Sequence, residues 1–158
     1  MKILTNIFIS LFYSGYFKIW PGTFASIISL LILFPIVEYN LVSAEIFITT
    51  FIIIFVFSIY FIKYYSSYTD THDSRIIVID EFLGIYLILI FYDIINTSNT
   101  FLTIALIFLL FRFFDISKIF PANIIDKKMK NSLGVLLDDI IASIYTIIIL
   151  YTLNVINN

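Results

Sequence analysis

The sequence lacks cysteine, holds a single histidine, and carries little charge: nine Lys and Arg and eleven Asp and Glu among 158 residues, or 13%. Without thiols there are no disulfides, no thiolate nucleophile and no Cys-ligated metal. A soluble domain carries roughly 25% charged residues, so this chain is not built to be solvated on all sides. Its net charge of −2 is small, and it has no basic patch of the kind a nucleic-acid binder needs.

What fills the space is apolar. Hydrophobic residues make up 61% of the chain, and the mean hydropathy is +1.07. Length allows one domain, residues 1–158. The apolar runs are continuous rather than alternating, which disfavours barrel strands. In lipid the backbone must satisfy its own hydrogen bonds, which selects helices. The expected fold is therefore an all-α membrane bundle of about five embedded helices. Only 46–62 approaches the roughly 20 residues of a span unaided. Residues 24–37, with Pro35 near their end, form a short pass. The passes at 76–95, 101–120 and 133–153 reach full length only by including polar ends. Residues 3–13 read as a retained interfacial helix, because no small-x-small cleavage pattern follows them.

Charge placement sets the orientation. Alternating the loops between two sides puts all nine Lys and Arg on one side (residues 1–22, 63–81 and 112–139) and none on the other. Such a bias marks the cytoplasmic side. Eight of the eleven acidic residues lie there too, all but Glu38, Glu45 and Asp93. Acidic residues contribute little to orientation, so their gathering needs its own cause.

Asp80 with Glu81, Asp115, and Asp138 with Asp139 end three different apolar segments at one depth. Carboxylates crowded together repel and raise one another's pKa, and a divalent cation removes that conflict. Oxygen ligands without Cys or His clusters suit Mg²⁺, which binds through a few carboxylates plus a substrate phosphate. Arg112, Asp115 and Lys118 are spaced i, i+3, i+6, so a helix would bring them along one face with Asp115 orienting either cation. Arg and Lys at headgroup depth are phosphate ligands. Snorkelling and interhelical pairing is the competing account of these residues. In "WPGTFAS" (20–26), Thr23 reads as a helix N-cap, and the free N–H groups there, with Thr23 and Ser26, are placed to receive a phosphate. Gly84, four residues after Asp80, shares its helical face and permits close helix approach. Asp73 lies seven residues before Asp80, beside His72, where it could close over a metal; a lone loop histidine is ordinarily just solvated.

The blocks "PGTFAS" (21–26), "HDSRIIVIDEFLG" (72–84), "FRFFDISKIFP" (111–121), Asp126 and "LGVLLDDIIA" (133–142), in this order, resemble the phosphatidylglycerophosphatase A family of membrane lipid phosphatases. The resemblance implies Mg²⁺-dependent hydrolysis of phosphatidylglycerophosphate to phosphatidylglycerol and phosphate, a step of phospholipid biosynthesis, at the cytoplasmic face of a bacterial inner membrane. On that reading Asp80, Glu81, Asp138 and Asp139 hold the metal, with Asp73 a further ligand or general base. Arg112 and Lys118 grip the phosphoryl group while Asp115 orients Arg112. The attacking species is either metal-activated water or an aspartate. Departures touch loop shape: Lys118-Ile119-Phe120-Pro121 replaces Lys-Pro-x-Pro, Ala25 stands where Gly is frequent, and Asn131-Ser132 replaces a Gly pair. Other lipid-phosphate enzymes lack their signatures here, having neither several His blocks, nor DG-x-x-AR, nor D-x-D-G. The alternative from another class is a cation- or proton-coupled transporter, although transporters place carboxylates near the midplane. A non-catalytic scaffold would tolerate substitution of the carboxylates.

Overall fold

The computed structural model describes residues 1–69, 71, 74–97 and 99–157, and its regular structure is entirely helical. In chain order the α-helices are α1 (Lys2–Ile9), α2 (Pro21–Glu38), α3 (Ala44–Thr69), α4 (Ile79–Ile90), α5 (Tyr92–Ile95), α6 (Thr100–Ser117), α7 (Ala122–Lys128) and α8 (Ser132–Asn157). A turn of 3₁₀ helix, Ser14–Tyr16, precedes α2. Four of them, α2, α3, α6 and α8, are long and apolar enough to cross a membrane. At 1.5 Å per residue, α2 and α6 run about 27 Å, and α3 and α8 about 39 Å. The chain is an all-α membrane protein.

The segment expected as a pass over 76–95 takes a different form. It forms the 12-residue α4, a break at Phe91, and the single turn of α5. Eight of the twelve α4 residues are buried, and α4 packs on α2, α3 and α8. Most of its apolar run is buried at the centre of the bundle. Ile85 and Ile88 are wholly inside, so hydropathy alone could not distinguish a core helix from a lipid-facing one.

Other boundaries also move. The N-terminal helix stops at Ile9, short of residue 13, because Leu11, Phe12 and Tyr13 all take positive φ. Each is a conformation that costs a non-glycine residue and cannot continue a helix. The carbonyl of Ile9 then accepts from the Val78 N–H at 2.9 Å, tying α1 to the start of α4. Pro35 lies inside α2 without ending it. Helix α6 ends at Ser117, and Lys118 adopts a left-handed cap at φ 42°. The expected i, i+6 alignment of Arg112 with Lys118 on one helix therefore does not form.

One contact sets the register of the interior. Ser143 Oγ donates to the Gly84 carbonyl at 2.9 Å across the α4–α8 interface, and to the Asp139 carbonyl of its own helix at 2.7 Å. Gly84 is one turn below Asp80 and Ser143 one turn below Asp139, so this bond brings the two carboxylates level. A methyl group on Gly84 would sit 2.5 Å from the Phe111 ring. Glycine is thus what lets α6 close on α4, the close approach expected from sequence.

Candidate active site

At one end of the bundle the N-termini of α2, α4 and α8 meet the C-terminus of α6 around a cavity of about 1030 Å³. Helix α2 contributes Gly22 and Thr23, α4 contributes Asp80 and Glu81, and α6 contributes Arg112 and Asp115. Lys118 and Asp126 follow from the α6–α7 connection and α7, and Asp138 and Asp139 from α8. Arg75 and Lys130 also line it. The ends of four helices converge because the bundle alternates up and down, and Arg75, Arg112, Lys118 and Lys130 come to this end with them.

Asp80 and Glu81 occupy the first turn of α4, where the partial positive charge of a helix N-terminus favours anions. Asp139 reaches them from α8, and one oxygen of each of the three lies within 4.8 Å of the others. Glu81 Oε2 and Asp139 Oδ2 are buried and have no hydrogen-bond partner. Unpaired anionic oxygens in an interior are costly. The described cavity wall holds six carboxylates against four cations, a formal excess equal to the charge of one divalent ion. Both observations fit a hard cation held by Asp80, Glu81 and Asp139.

Arg112 stands beside this cluster. Its Nη1 lies 2.6 Å from Asp115 Oδ2 and 3.6 Å from Glu81 Oε1. The Arg112–Asp115 arrangement is the one expected from their spacing. Neither Nη1 nor Nε of Arg112 makes an aligned hydrogen bond, and both are buried. The guanidinium is thus fixed by charge yet keeps donors for an anionic ligand. Gly22 presses on the same pair: a Cβ there would come 2.0 Å from Glu81 Oε1 and 3.1 Å from Arg112 Nη1.

Asp138, expected among the metal ligands, faces elsewhere. Lys118 Nζ is hydrogen-bonded to Asp138 Oδ2 and donates to Asp126 Oδ1 at 2.9 Å. Burial alone would lower the Lys118 pKa; the two carboxylates override it and push the ammonium above the usual lysine range. The left-handed cap at Lys118 turns the chain so that this triad forms, which helical spacing could not foretell. Asp126 appeared in the sequence only as a matching position and here acquires a partner.

The two hydroxyls of "PGTFAS" separate. Thr23 lines the cavity, but the cap of α2 is Trp20, which makes no side-chain capping bond, and Pro21 opens the helix. The N-cap role expected of Thr23 is therefore not what it does. Proline at the first helical position needs no N–H partner, leaving the N–H groups of Gly22 and Thr23 at the positive end of α2. Ser26 is fully buried and donates to the Gly22 carbonyl at 2.8 Å, outside the cavity wall. His72 and Asp73 lie outside the described residues. Gly22 is the site residue that sequence reasoning passed over; its only signal was its place in "PGTFAS".

Fold and site together define a multi-helix membrane protein with an acidic, arginine-bordered cavity at one end of the bundle. The model of the phosphatidylglycerophosphatase A family matches residues 7–154. The chain belongs to this family, and it is an enzyme, a phosphatase. It is 31% identical over 142 residues to the phosphatidylglycerophosphatase A of Haemophilus influenzae, covering 90% of this chain and 83% of that one. It is 32% identical over 80 residues to the phosphatidylglycerophosphatase A of Escherichia coli K12, covering 51% and 44% respectively. No solved structure matches. Membership decides for an enzyme over the transporter and the scaffold.

Proposed function

We propose that this phosphatase hydrolyses phosphatidylglycerophosphate to phosphatidylglycerol and inorganic phosphate, uses Mg²⁺, and works at the cytoplasmic face of a bacterial inner membrane. The observation that carries the reading is the pairing of orphans in one cavity. Two buried carboxylate oxygens lack donors, and two buried guanidinium nitrogens of Arg112 beside them make no aligned hydrogen bond. A divalent cation together with a phosphate dianion answers both needs. The substrate named by the relatives supplies that phosphate on a lipid, and the cations around the cavity, Arg75, Arg112, Lys118 and Lys130, support a cytoplasmic orientation for it.

Asp80, Glu81 and Asp139 would hold the ion. When bound, it polarises the phosphoryl group and lowers the pKa of a coordinated water. The chain's own residues do the positioning. Arg112 offers a fork to the non-bridging phosphoryl oxygens, and Asp115 keeps that fork aimed by its charge. The N–H groups of Gly22 and Thr23 add the positive end of α2. Lys118, balanced by Asp126 and Asp138, contributes a point charge at the wall. Overall the phosphorus–oxygen bond to the glycerol carbon chain breaks, water supplies the new oxygen, and a proton ends on the departing glycerol oxygen. Uncatalysed phosphomonoester hydrolysis is among the slowest of reactions, so positioning and charge neutralisation carry most of the acceleration.

The test is phosphate release from phosphatidylglycerophosphate by the purified protein in detergent. Activity should vanish with EDTA and return with Mg²⁺. Full activity after exhaustive chelation would remove the metal from the reading, and no release from this lipid while other phosphomonoesters are cleaved would remove the substrate.

A further inference from the structure

One apolar groove adjoins the cavity and a second lies beyond it, and the proposed reaction leaves both unexplained. The first, about 570 Å³, lies between residues 16–20 and α2 and is floored by Phe17, Phe24 and Ile27. It shares Trp20 and Thr23 with the polar cavity, so the two are continuous. The second, about 300 Å³, lies on the far side of Phe17 and Phe24 and continues to Ile28 and Ile32. Phe17 and Phe24 stack with ring centroids 4.0 Å apart, forming a ridge shared by both grooves.

The placement is directional. Phe24, Ile28 and Ile32 follow at i, i+4, i+8, one row along α2, so the second groove descends about 12 Å from the cavity's level toward the membrane interior. Lys18 stands on the wall of the first groove and is exposed. A cation at the rim, two grooves divided by a ridge, and a polar, arginine-bordered cavity next door match one kind of molecule. We propose that a diacyl lipid phosphate sits astride the Phe17–Phe24 ridge, one acyl chain in each groove, and enters the cavity sideways past Trp20. The inference rests on the lipid-phosphatase reading and adds where the tails lie. Trp20, held at φ 52° and 75% exposed, is the post the headgroup passes.

Two measurements test it on the intact protein. The first is photolabelling in phosphatidylcholine vesicles with a phosphatidylglycerophosphate bearing a diazirine in one acyl chain. Label should concentrate in residues 11–32 and fall when unlabelled substrate is added. Label spread over the lipid-facing residues of α3, α6 and α8, as a phosphatidylcholine diazirine probe would give, overturns the proposal. The second compares hydrolysis of dioleoyl and dibutyryl substrates by Ile27→Trp and Ile28→Trp, which fill the grooves, with Ile52→Trp on exposed α3. The groove variants should lose the long-chain preference in kcat/KM about tenfold through KM, and Ile52→Trp should keep it. An unchanged preference in both groove variants also overturns it. Absence of any hydrolysis in the unaltered protein would instead strike the catalytic reading, since the labelling pattern needs no turnover.

Discussion

Gly22→Ala is the sharpest probe of the site, because it should separate catalysis from folding. Gly22 is the second residue of α2 and does not take positive φ, so alanine fits its backbone, and helix propensity favours alanine by up to about 1 kcal/mol. The added methyl would lie 2.0 Å from Glu81 Oε1, where ordinary contact starts at 3.4 Å. That oxygen must retreat by about 1.4 Å, and the neighbouring Arg112 Nη1, at 3.1 Å, gives way as well. A misplacement of 1 Å in a catalytic constellation costs about 10²-fold. The expected result is therefore a kcat/KM lowered about 10²-fold, a half-saturating Mg²⁺ concentration raised, and a melting temperature unchanged or higher. The assay is phosphate release across a Mg²⁺ titration, with thermal unfolding in the same detergent. Activity within threefold of the unaltered protein at every Mg²⁺ concentration would refute the placement of Glu81 beneath α2.

Three more outcomes follow from the same geometry. Asp80→Asn and Asp139→Asn should each abolish phosphate release while the protein still inserts into the membrane; near-normal turnover in both would discard the carboxylate cluster as the reactive centre. Lys118→Met leaves Asp138 buried without its cation and should cost about 1–3 kcal/mol in an unfolding measurement, whereas adding Asp138→Leu should recover much of that loss, and a double variant weaker than the single would contradict the pairing. Gly84→Ala drives a methyl into the Phe111 ring and should cost about 1–3 kcal/mol by overpacking, with activity falling because Arg112 moves with Phe111; an unaltered melting point would show that α6 has slack at this contact.

The apolar runs and the charged residues between them were enough to reveal a helical membrane bundle and to gather Asp80, Glu81, Asp115, Asp138 and Asp139 at one end of it, three of which, Asp80, Glu81 and Asp139, form the close cluster. Composition reports on the medium, and a costly charge in an apolar segment reports on a partner, so both survive translation into sequence. What failed to show depends on contacts between distant segments. The shortness of α4 follows from its burial among α2, α3 and α8, and a fully enclosed helix reads the same as one facing lipid. Lys118 looked like one more residue on the Arg112 helix because nothing in "DISKIFP" announces a left-handed cap. Its engagement with Asp126 and Asp138, which takes Asp138 out of the three-carboxylate cluster, follows from that one dihedral. Gly22 matters only through what a side chain there would strike, and such exclusions are invisible until Glu81 is placed.

The unequal lengths of the spans have a consequence for the surrounding lipid. Helices α2 and α6 touch each other and are both shorter, at about 27 Å, than a hydrocarbon core of about 30 Å. Such a flank is met by local thinning of the bilayer or by snorkelling of the flanking side chains, at a cost of fractions of a kcal/mol per Å, while the longer α3 and α8 make no such demand. Where the bilayer thins there, headgroups beside α2 lie nearer the level of Asp80 and Arg112, next to the wall that Gly22 and Thr23 give the cavity.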